Sequence, residues 1–353
     1  MKLAGFDLYH YKLPFSEPVA LKRSLLQHRE GVLIRLTAED GSVGWGETAP
    51  LPGFSPEPLQ TATRQLRELS LSLPGQEVPG DWTNHADLVP SARFGLELAA
   101  WNLSANSSGE MSPKPLNDHS REGVFVNGLL SGLSDGLVEG ADRMRATGYR
   151  AVKLKVGGRE IEGDARLARE VGEVLGDGVS LRLDANRAWG LGEALEFGRG
   201  LTGVRVEYVE EPLAEPGRLG ELAGMWGLSV ALDESLVGMG PEDLKGDRYA
   251  RAVVLKPTLL GGLYRTLRFA EEAKALGMKA VISSSYESGV GTGALVALAA
   301  AVGNEPVGLD TYRRLAEDVI EVPLDLPAPF VDVRGATEAA RRVDPRKIEA
   351  PSG

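Results

Sequence analysis

The 353-residue chain contains no cysteine, which excludes disulfide frameworks, thiolate zinc sites and cysteine nucleophiles together. Histidine is scarce as well, limited to His10, His28, His85 and His119. Long hydrophobic runs are missing. The longest nearly apolar stretch, Gly289 to Gly303, is too short and too rich in glycine to span a bilayer. The opening residues, M-K-L-A-G-F-D-L-Y-H-Y-K, are interrupted by Asp7, His10 and Lys12, so no signal-peptide core is expected there. A basic surplus is absent too. Lys plus Arg number 39 against 50 Asp plus Glu, a net charge of −11. With no Lys/Arg cluster, that balance argues against nucleic acid or an anionic membrane as partner. No Walker sequence occurs. What remains is a chain of ordinary composition, 42% hydrophobic and 25% charged, expected to be soluble and cytoplasmic. At roughly 150 residues per domain it has room for about two.

The first hundred residues read as α+β. Two alternating segments, G-V-L-I-R-L-T and S-V-G-W-G-E-T, flank Asp40-Gly41 and predict a hairpin. Helical patterns follow near residues 57–69 and 91–103, and the polar, Ser- and Pro-rich stretch 106–120 reads as a linker. Beyond it, short apolar runs begin near Gly123, Ala151, Ser180, Val206, Ser229, Ala252, Lys279 and Val307, 23 to 29 residues apart. Segments with apolar positions at helical spacing lie between them. Eight strand-then-helix units imply a parallel sheet with right-handed crossovers. Their number favours a closed (β/α)8-type barrel over an open doubly wound sheet, giving an α/β fold. The expected divisions are an N-terminal α+β domain over 1–115, the barrel over 120–312, and a segment 313–353 that packs back on the N-terminal domain.

The ends of these runs carry charge. The second ends in Lys153 and Lys155, the third in Asp184, the fourth in Glu210 and Glu211, the fifth in Asp233 and Glu234, and the sixth in Lys256. All strands of a parallel barrel end at the face where chemistry occurs. Five ionisable positions at one rim must compensate one another or bind an ion. A lone K-x-K is ordinarily a solvated strand edge, and a lone E-E-P or D-E-S a turn. Five placed alike, with signs in the order +, −, −, −, +, are not what a solvated surface supplies. Three acids from adjacent strands suit a hard divalent cation, Mg²⁺ by default, and no histidine sits at a strand end to suggest zinc. Alternation puts Lys153 with Lys155, and Arg182 with Asp184 and Asn186, on common faces. It does not choose between Glu210 and Glu211. Lys155 and Lys256, four strands apart in a ring of eight, should face each other across the mouth. A partly desolvated lysine near a cation and a second lysine is expected to have a lowered pKa and to serve as a base. The metal would offset the anion forming on a bound carboxylate. Together these parts suit removal of a proton next to a carboxylate through a metal-stabilised enediolate. The stretch Gly289-Val290-Gly291-Thr292-Gly293 lacks the dinucleotide fingerprint and reads as a tight turn or a helix-start anion site.

The K-x-K, D-x-N, E-E-P, D-E and K-P motifs resemble those of the enolase superfamily, in its muconate-lactonizing-enzyme-like branch. The closer similarity within that branch rests on G-W-G-E-T-A-P-L-P-G-F-S-P-E (44–57), L-R-L-D-A-N-R-A-W (181–189), L-K-P-T-L (255–259), I-S-S-S-Y-E-S (282–288) and G-L-D-T-Y (308–312). It points to members that dehydrate 2-succinyl-6-hydroxy-2,4-cyclohexadiene-1-carboxylate to aromatic 2-succinylbenzoate. The alternative is an N-succinylamino acid racemase or dipeptide epimerase on the same scaffold. The resemblance implies a capping domain before the barrel, a Mg²⁺ cofactor and a small-molecule dicarboxylate substrate. It implies Lys155 as base and Lys256 as the opposite lysine, with Asp184, Glu210 and Asp233 as metal ligands. Lys153, Arg182, Asn186, Ser283 and Ser284 are implied as substrate contacts, the serines with backbone N–H groups near Gly289 holding carboxylates. Glu234 is implied as a support behind them. The loop 51–54, and residues near 24–28, would close the site from the capping domain.

Overall fold

A computed structural model of the protein describes residues 1–21, 24–79, 82, 87–109, 121–132, 136–326 and 329–349. Its N-terminal part is an antiparallel sheet of β1 (Leu3–Leu21), β2 (Ser24–Ala38) and β3 (Val43–Thr48), in that order. The β2–β3 turn holds Gly41 at φ 84°, and Asp40 accepts the Ser42 N–H. Helices α1 (Leu59–Ser72) and α2 (Pro90–Ser108) accompany the sheet. The G-W-G of β3 has a packing reason. A Cβ at Gly46 would stand 1.9 Å from the Gly95 carbonyl, and one at Gly44 2.2 Å from that of Ala99, so α2 lies directly on the strand backbone. Helix α2 also absorbs residues 106–108, which composition alone assigns to a linker. Asn106 donates to the Val43 carbonyl and Ser107 to Asp40, tying the helix end to the hairpin. The rest of that stretch, 110–120, lies outside the described residues.

Next come β4 (Gly123–Phe125), β5 (Gly128–Leu130), α3 (Leu137–Thr147), β6 (Ala151–Lys155), α4 (Ile161–Leu175), β7 (Ser180–Asp184), α5 (Leu191–Gly200), β8 (Val206–Glu210) and α6 (Leu219–Trp226). They are followed by β9 (Val230–Leu232), β10 (Ala250–Leu255), α7 (Pro257–Leu260), α8 (Leu263–Ala275), β11 (Lys279–Ile282) and α9 (Gly289–Val302). Strands β5 to β11 form one parallel sheet in sequential order. Parallel bridges Ser283–Gly308 and Val126–Val307 join its two edges through residues 307–308, closing an α/β barrel of the (β/α)8 type. The helices bury one stripe, as in α4, where Ala165, Ala168, Val171 and Leu175 recur at helical spacing. The run beginning at Gly123 differs from the simple count of eight. Its first residues, β4, pair antiparallel with β12 (Phe330–Asp332), and the barrel strand proper is β5. The stretch D-V-I-E-V-P-L-D-L forms no strand among the described residues, only an Ile320–Val343 bridge. The tail nonetheless touches the N-terminal sheet, through bridges Phe15–Leu315 and His10–Glu349, and α10 (Val333–Ala340) buries Val333, Ala336, Thr337 and Ala340. No helix of the described residues is long and apolar enough to cross a membrane.

Several helix starts are capped by acids from elsewhere in the chain. Glu57 accepts the Ser91 N–H at α2, and Glu97 those of Leu263 and Tyr264 at α8. At α9, Glu47 takes the N–H groups of Ser288 and Gly291, and Asp318 that of Gly289. A carboxylate there meets both the unpaired donors and the positive end of the helix dipole. These contacts also fasten the capping sheet and the tail to the barrel.

Candidate active site

Parallel register fixes the charged rim. Lys155, Asp184 and Glu210 stand opposite one another at the ends of β6, β7 and β8, with Ala231 next in the row and Asp233 two residues further on. Lys256 follows the end of β10. One cavity is lined by Lys153, Lys155, Asp184, Asn186, Lys256, Ser283 and Ser284, with Leu51, Phe54 and Tyr286. A larger groove of about 750 Å³ lies between α3 and residues 312–326, but none of these lysines reaches it.

The acids and lysines interlock. Lys155 Nζ is 2.7 Å from Asp184 Oδ2 and also donates to Asn186 Oδ1. Lys153 Nζ lies 3.2 Å from both Asp184 and Glu210, and Lys256 pairs with Asp233. Asn186 reaches on to Glu234 at 3.3 Å. All three acids are buried, whereas Lys155 keeps about a third of its side chain in solvent, at 35%. Burial raises the proton affinity of Asp184, but Lys155 and then Lys153 outweigh it and hold that carboxyl below the ordinary range. Glu210 moves the other way, pushed up by burial, then by Asp184 and Asp233, with Lys153 opposing. Burial pulls Lys256 down, yet Asp233, Glu210 and Glu234 raise it above the usual lysine value. The acids around Lys256 outweigh both its burial and the neighbouring Lys153.

Glu210 and Glu211 diverge because the chain leaves β8 through a left-handed residue, Glu211 at φ 41°. Glu210 turns to Lys153, while Glu211 accepts from Arg187, the Ser235 hydroxyl and the N–H groups of Asp233 and Ser235. It braces the loop that carries Asp233.

Arg182 is not brought to the rim. Its guanidinium donates to Glu207 at 2.6 Å and to the Pro306 carbonyl at 2.6 Å, beside Glu305. Lys279, the first residue of β11, joins the same acids, so the group closes the opposite, N-terminal end of the barrel. The α9 start is likewise not a free anion site, since Glu47 and Asp318 hold its donors. Ser283 and Ser284 do line the cavity, with their hydroxyls on the Gly308 carbonyl and, for Ser284, on Thr311.

Over the mouth sits a small apolar cluster of Phe15, Val19, Leu21 and Leu51, with Leu26, Phe54 and Tyr286 packed against it. The Phe54 ring centre is 5.9 Å from Lys256 Nζ, within cation–π reach. Residues 22 and 23, between Leu21 and the 24–28 segment, lie outside the described residues. Sequence reading passed over Asn127, which also lines the cavity. Its signal was the same as for the others, a polar residue ending an apolar run.

The donor chemistry suits a divalent cation. Asp184, Glu210 and Asp233 offer hard oxygen atoms at the ends of three consecutive strands, all three buried and the first two sharing Lys153 at 3.2 Å. Among the described residues no three His, Cys, Asp or Glu side chains stand at the spacing of a closed metal cage. Each acid is instead held by a lysine.

Comparison with known proteins gives matches along most of the chain. Residues 136–337 match the enolase C-terminal domain-like family, and residues 3–103 match the MenC N-terminal domain. An o-succinylbenzoate synthase from Vibrio cholerae is 36% identical over 314 residues, covering 86% of this chain and 88% of the relative. One from Haemophilus influenzae is 33% identical over 338 residues, covering 93% and 96%. Among solved structures, a muconate lactonizing enzyme from Pseudomonas fluorescens complexed with muconolactone aligns with TM-score 0.79 at 25% identity, over 94% of this chain and 93% of that one. A dipeptide epimerase from Enterococcus faecalis complexed with Mg and the dipeptide L-Leu-L-Tyr aligns with TM-score 0.83 at 20% identity, over 99% and 100%. At that identity the epimerase likeness speaks for the fold.

Proposed function

We propose, for a chain that belongs to the o-succinylbenzoate synthase family of the enolase superfamily, the loss of water from 2-succinyl-6-hydroxy-2,4-cyclohexadiene-1-carboxylate to give 2-succinylbenzoate. The chain is thus a carbon–oxygen lyase. The observation that carries the reading is one cavity lined by both Lys155 and Lys256, with the acid-bearing ends of β7, β8 and β9 between them.

Lys155 Nζ, the more exposed of the two lysines, takes the proton from the carbon bearing the carboxylate. The electron pair left behind moves toward that carboxylate. It returns to form the ring double bond as the C6–O bond breaks, and the hydroxyl leaves as water with the proton Lys155 had taken. Asn186, hydrogen-bonded to Lys155, orients the ammonium arm. Lys256, paired with Asp233, faces the growing negative charge as a fixed cation. Asp184, Glu210 and Asp233 would hold the Mg²⁺, with Lys153 between two of them as an internal counter-charge and Glu234 steadying Asn186. When bound, the cation offsets the charge that gathers on the substrate carboxylate. Ser283 and Ser284 meet the substrate's polar oxygens, and Leu51, Phe54 and Tyr286 exclude water. Aromatisation drives the reaction, so the residues need chiefly lower the barrier to proton removal.

An ultraviolet assay of aromatisation with and without Mg²⁺ tests the reading. Metal-dependent product formation supports it, and none with either the metal or the substrate varied overturns it. The same two lysines could also exchange a proton on both faces of an N-succinyl amino acid or a dipeptide. Chiral analysis with those substrates separates the readings, since racemisation without dehydration would replace the lyase assignment.

A further inference from the structure

Arg29 on β2 is buried to 1% exposure and lies outside the charged rim. Its guanidinium has five N–H donors in a rigid fork, and five hydrogen bonds use them. Nε donates to the Tyr286 carbonyl at 3.0 Å. Nη1 donates to those of Glu30 and Pro50 at 3.2 and 2.9 Å, and Nη2 to those of Ala49 and Ser285, the latter at 3.2 Å. All five acceptors are backbone carbonyls. Burying a guanidinium among carbonyls is costly unless the contacts fix something that a neutral side chain could not.

What they fix is two loops from different parts of the molecule. Ala49 and Pro50 lead directly into Leu51–Phe54, whose side chains roof the cavity. Ser285 and Tyr286 continue from Ser283 and Ser284, which form its wall. Tyr286 itself has φ 61°, a left-handed conformation that a bulky residue adopts only when its surroundings impose it. Two of the five hydrogen bonds are at this strained turn. The Tyr286 ring then meets Phe15 edge-on at 5.6 Å, completing the apolar cover.

We propose that Arg29 is a positioning residue for the reaction, setting the roof loop 49–54 against the wall 283–286 so that Phe54 lies over Lys256 and the Tyr286 ring faces substrate. The proposal rests on the dehydratase reading of the cavity. Its first test is kinetic. In Arg29→Ala, kcat/KM for dehydration falls about 100-fold, the scale of a misplacement of about 1 Å, and the loss appears mainly in KM because roof and wall touch substrate rather than the moving proton. Mg²⁺ affinity, read by calorimetry with the metal alone, stays within about twofold because the acids sit on barrel strands. Added guanidinium restores part of kcat/KM in Arg29→Ala and none in Lys155→Ala. Arg29→Lys, which keeps the charge with three donors and no fork, falls between Arg29→Ala and the parent chain.

The second test needs no turnover. By hydrogen exchange, residues 49–54 and 283–288 open together about tenfold faster in Arg29→Ala, while the β1–β2 ladder below them keeps its protection. Near-parental kcat/KM, or loosening of only one of the two loops, overturns the proposal. So does an equal loss of Mg²⁺ affinity and of protection throughout the capping sheet, which would mark a merely structural residue. If the parent chain itself forms no 2-succinylbenzoate, the dehydratase reading fails, and the exchange experiment still decides whether Arg29 couples the loops.

Discussion

Two buried glutamates, Glu47 and Glu287, should respond to the same substitution in different ways. Glu47 accepts four hydrogen bonds. Its Oε1 takes the Tyr11 hydroxyl and the Ser288 N–H at 2.9 Å, and its Oε2 takes the Ser288 hydroxyl at 2.7 Å and the Gly291 N–H at 2.8 Å. Glu287 accepts two, the Thr258 hydroxyl on Oε1 and the Ser285 N–H on Oε2. A hydroxyl can rotate and become an acceptor, whereas a backbone N–H cannot. In Glu287→Gln the amide oxygen keeps Ser285 and the new NH₂ group donates to Thr258. Burial has already pushed the Glu287 carboxyl up, against the Thr258 hydrogen bond, so a neutral side chain removes a cost. In Glu47→Gln each carboxylate oxygen faces a backbone N–H, and either orientation of the amide sets its NH₂ against one of them. An orphaned buried donor costs about 1–3 kcal/mol, and lost charge assistance at the remaining contacts adds about 1 kcal/mol more. We therefore expect Glu47→Gln to lose about 3 kcal/mol and Glu287→Gln less than about 1 kcal/mol. In urea at neutral pH, with a slope of about 3 kcal/mol per M, the midpoint falls by about 1 M for the first and by under about 0.3 M for the second. Equal shifts, or a larger one for Glu287→Gln, would refute the reasoning that the fixed donors at the α9 start decide the outcome.

Lys155→Ala should lower dehydration about 10³-fold while leaving the circular dichroism spectrum unchanged, as expected for loss of a general base; near-parental turnover would remove Lys155 from the mechanism. Chelation should abolish turnover and Mg²⁺ restore it, and Mg²⁺ should raise the thermal midpoint of the parent chain but not that of Asp233→Asn. Arg182→Met should leave KM and Mg²⁺ affinity alone yet destabilise the fold by about 1–3 kcal/mol, since it removes the buried donors to Glu207 and the Pro306 carbonyl and leaves Glu207 with Lys279 at the closed end of the barrel; a changed KM with unchanged stability would return Arg182 to the substrate. Burial, aided at Tyr11 by Glu47 and at Tyr312 by Asp318, raises the pKa of Tyr11, Tyr208 and Tyr312 above that of a free phenol. The folded state then holds those protons after the unfolded chain has released them, so stability present below about pH 10 declines above it by up to about 1.4 kcal/mol per pH unit for each tyrosine. Urea midpoints that stay level from pH 9 to 11 would contradict the assignment.

Strand endings were legible because two simple rules act together there. Alternation assigns a side chain to a face, and parallel topology sends every strand's end to one mouth. Thus Lys155, Asp184 and Glu210, on three runs of sequence, stand in one row across β6, β7 and β8. Alternation says nothing about depth, however. Arg182 shares a face with Asp184 but lies two residues lower, about 6.6 Å along the strand, and its long side chain runs on to Glu207 and the Pro306 carbonyl. Periodicity also lapses where φ turns positive. Asn186, Arg187 and Glu211 all lie just beyond a strand end with left-handed backbone, so the direction of Glu211 could not follow from that of Glu210.

The remaining part was hidden for a different reason. Glu47 reaches Ser288 across 241 positions and Arg29 reaches Tyr286 across 257. Neither belongs to the repeated barrel units or to their charged strand ends, and no local propensity demands an acid after G-W-G or a buried arginine on β2. Their partners are backbone N–H and carbonyl groups, which every sequence offers and none advertises. The acids at the rim repel one another and must be matched by lysines, so their chemistry leaves a pattern in the order of charges. The residues that hold roof to wall answer to backbone geometry, and only the folded chain shows which carbonyls and N–H groups come to face them. It follows that substitutions at Arg29 and Glu47 should disturb the site through the two loops they hold, while the order of charges at the rim stays intact.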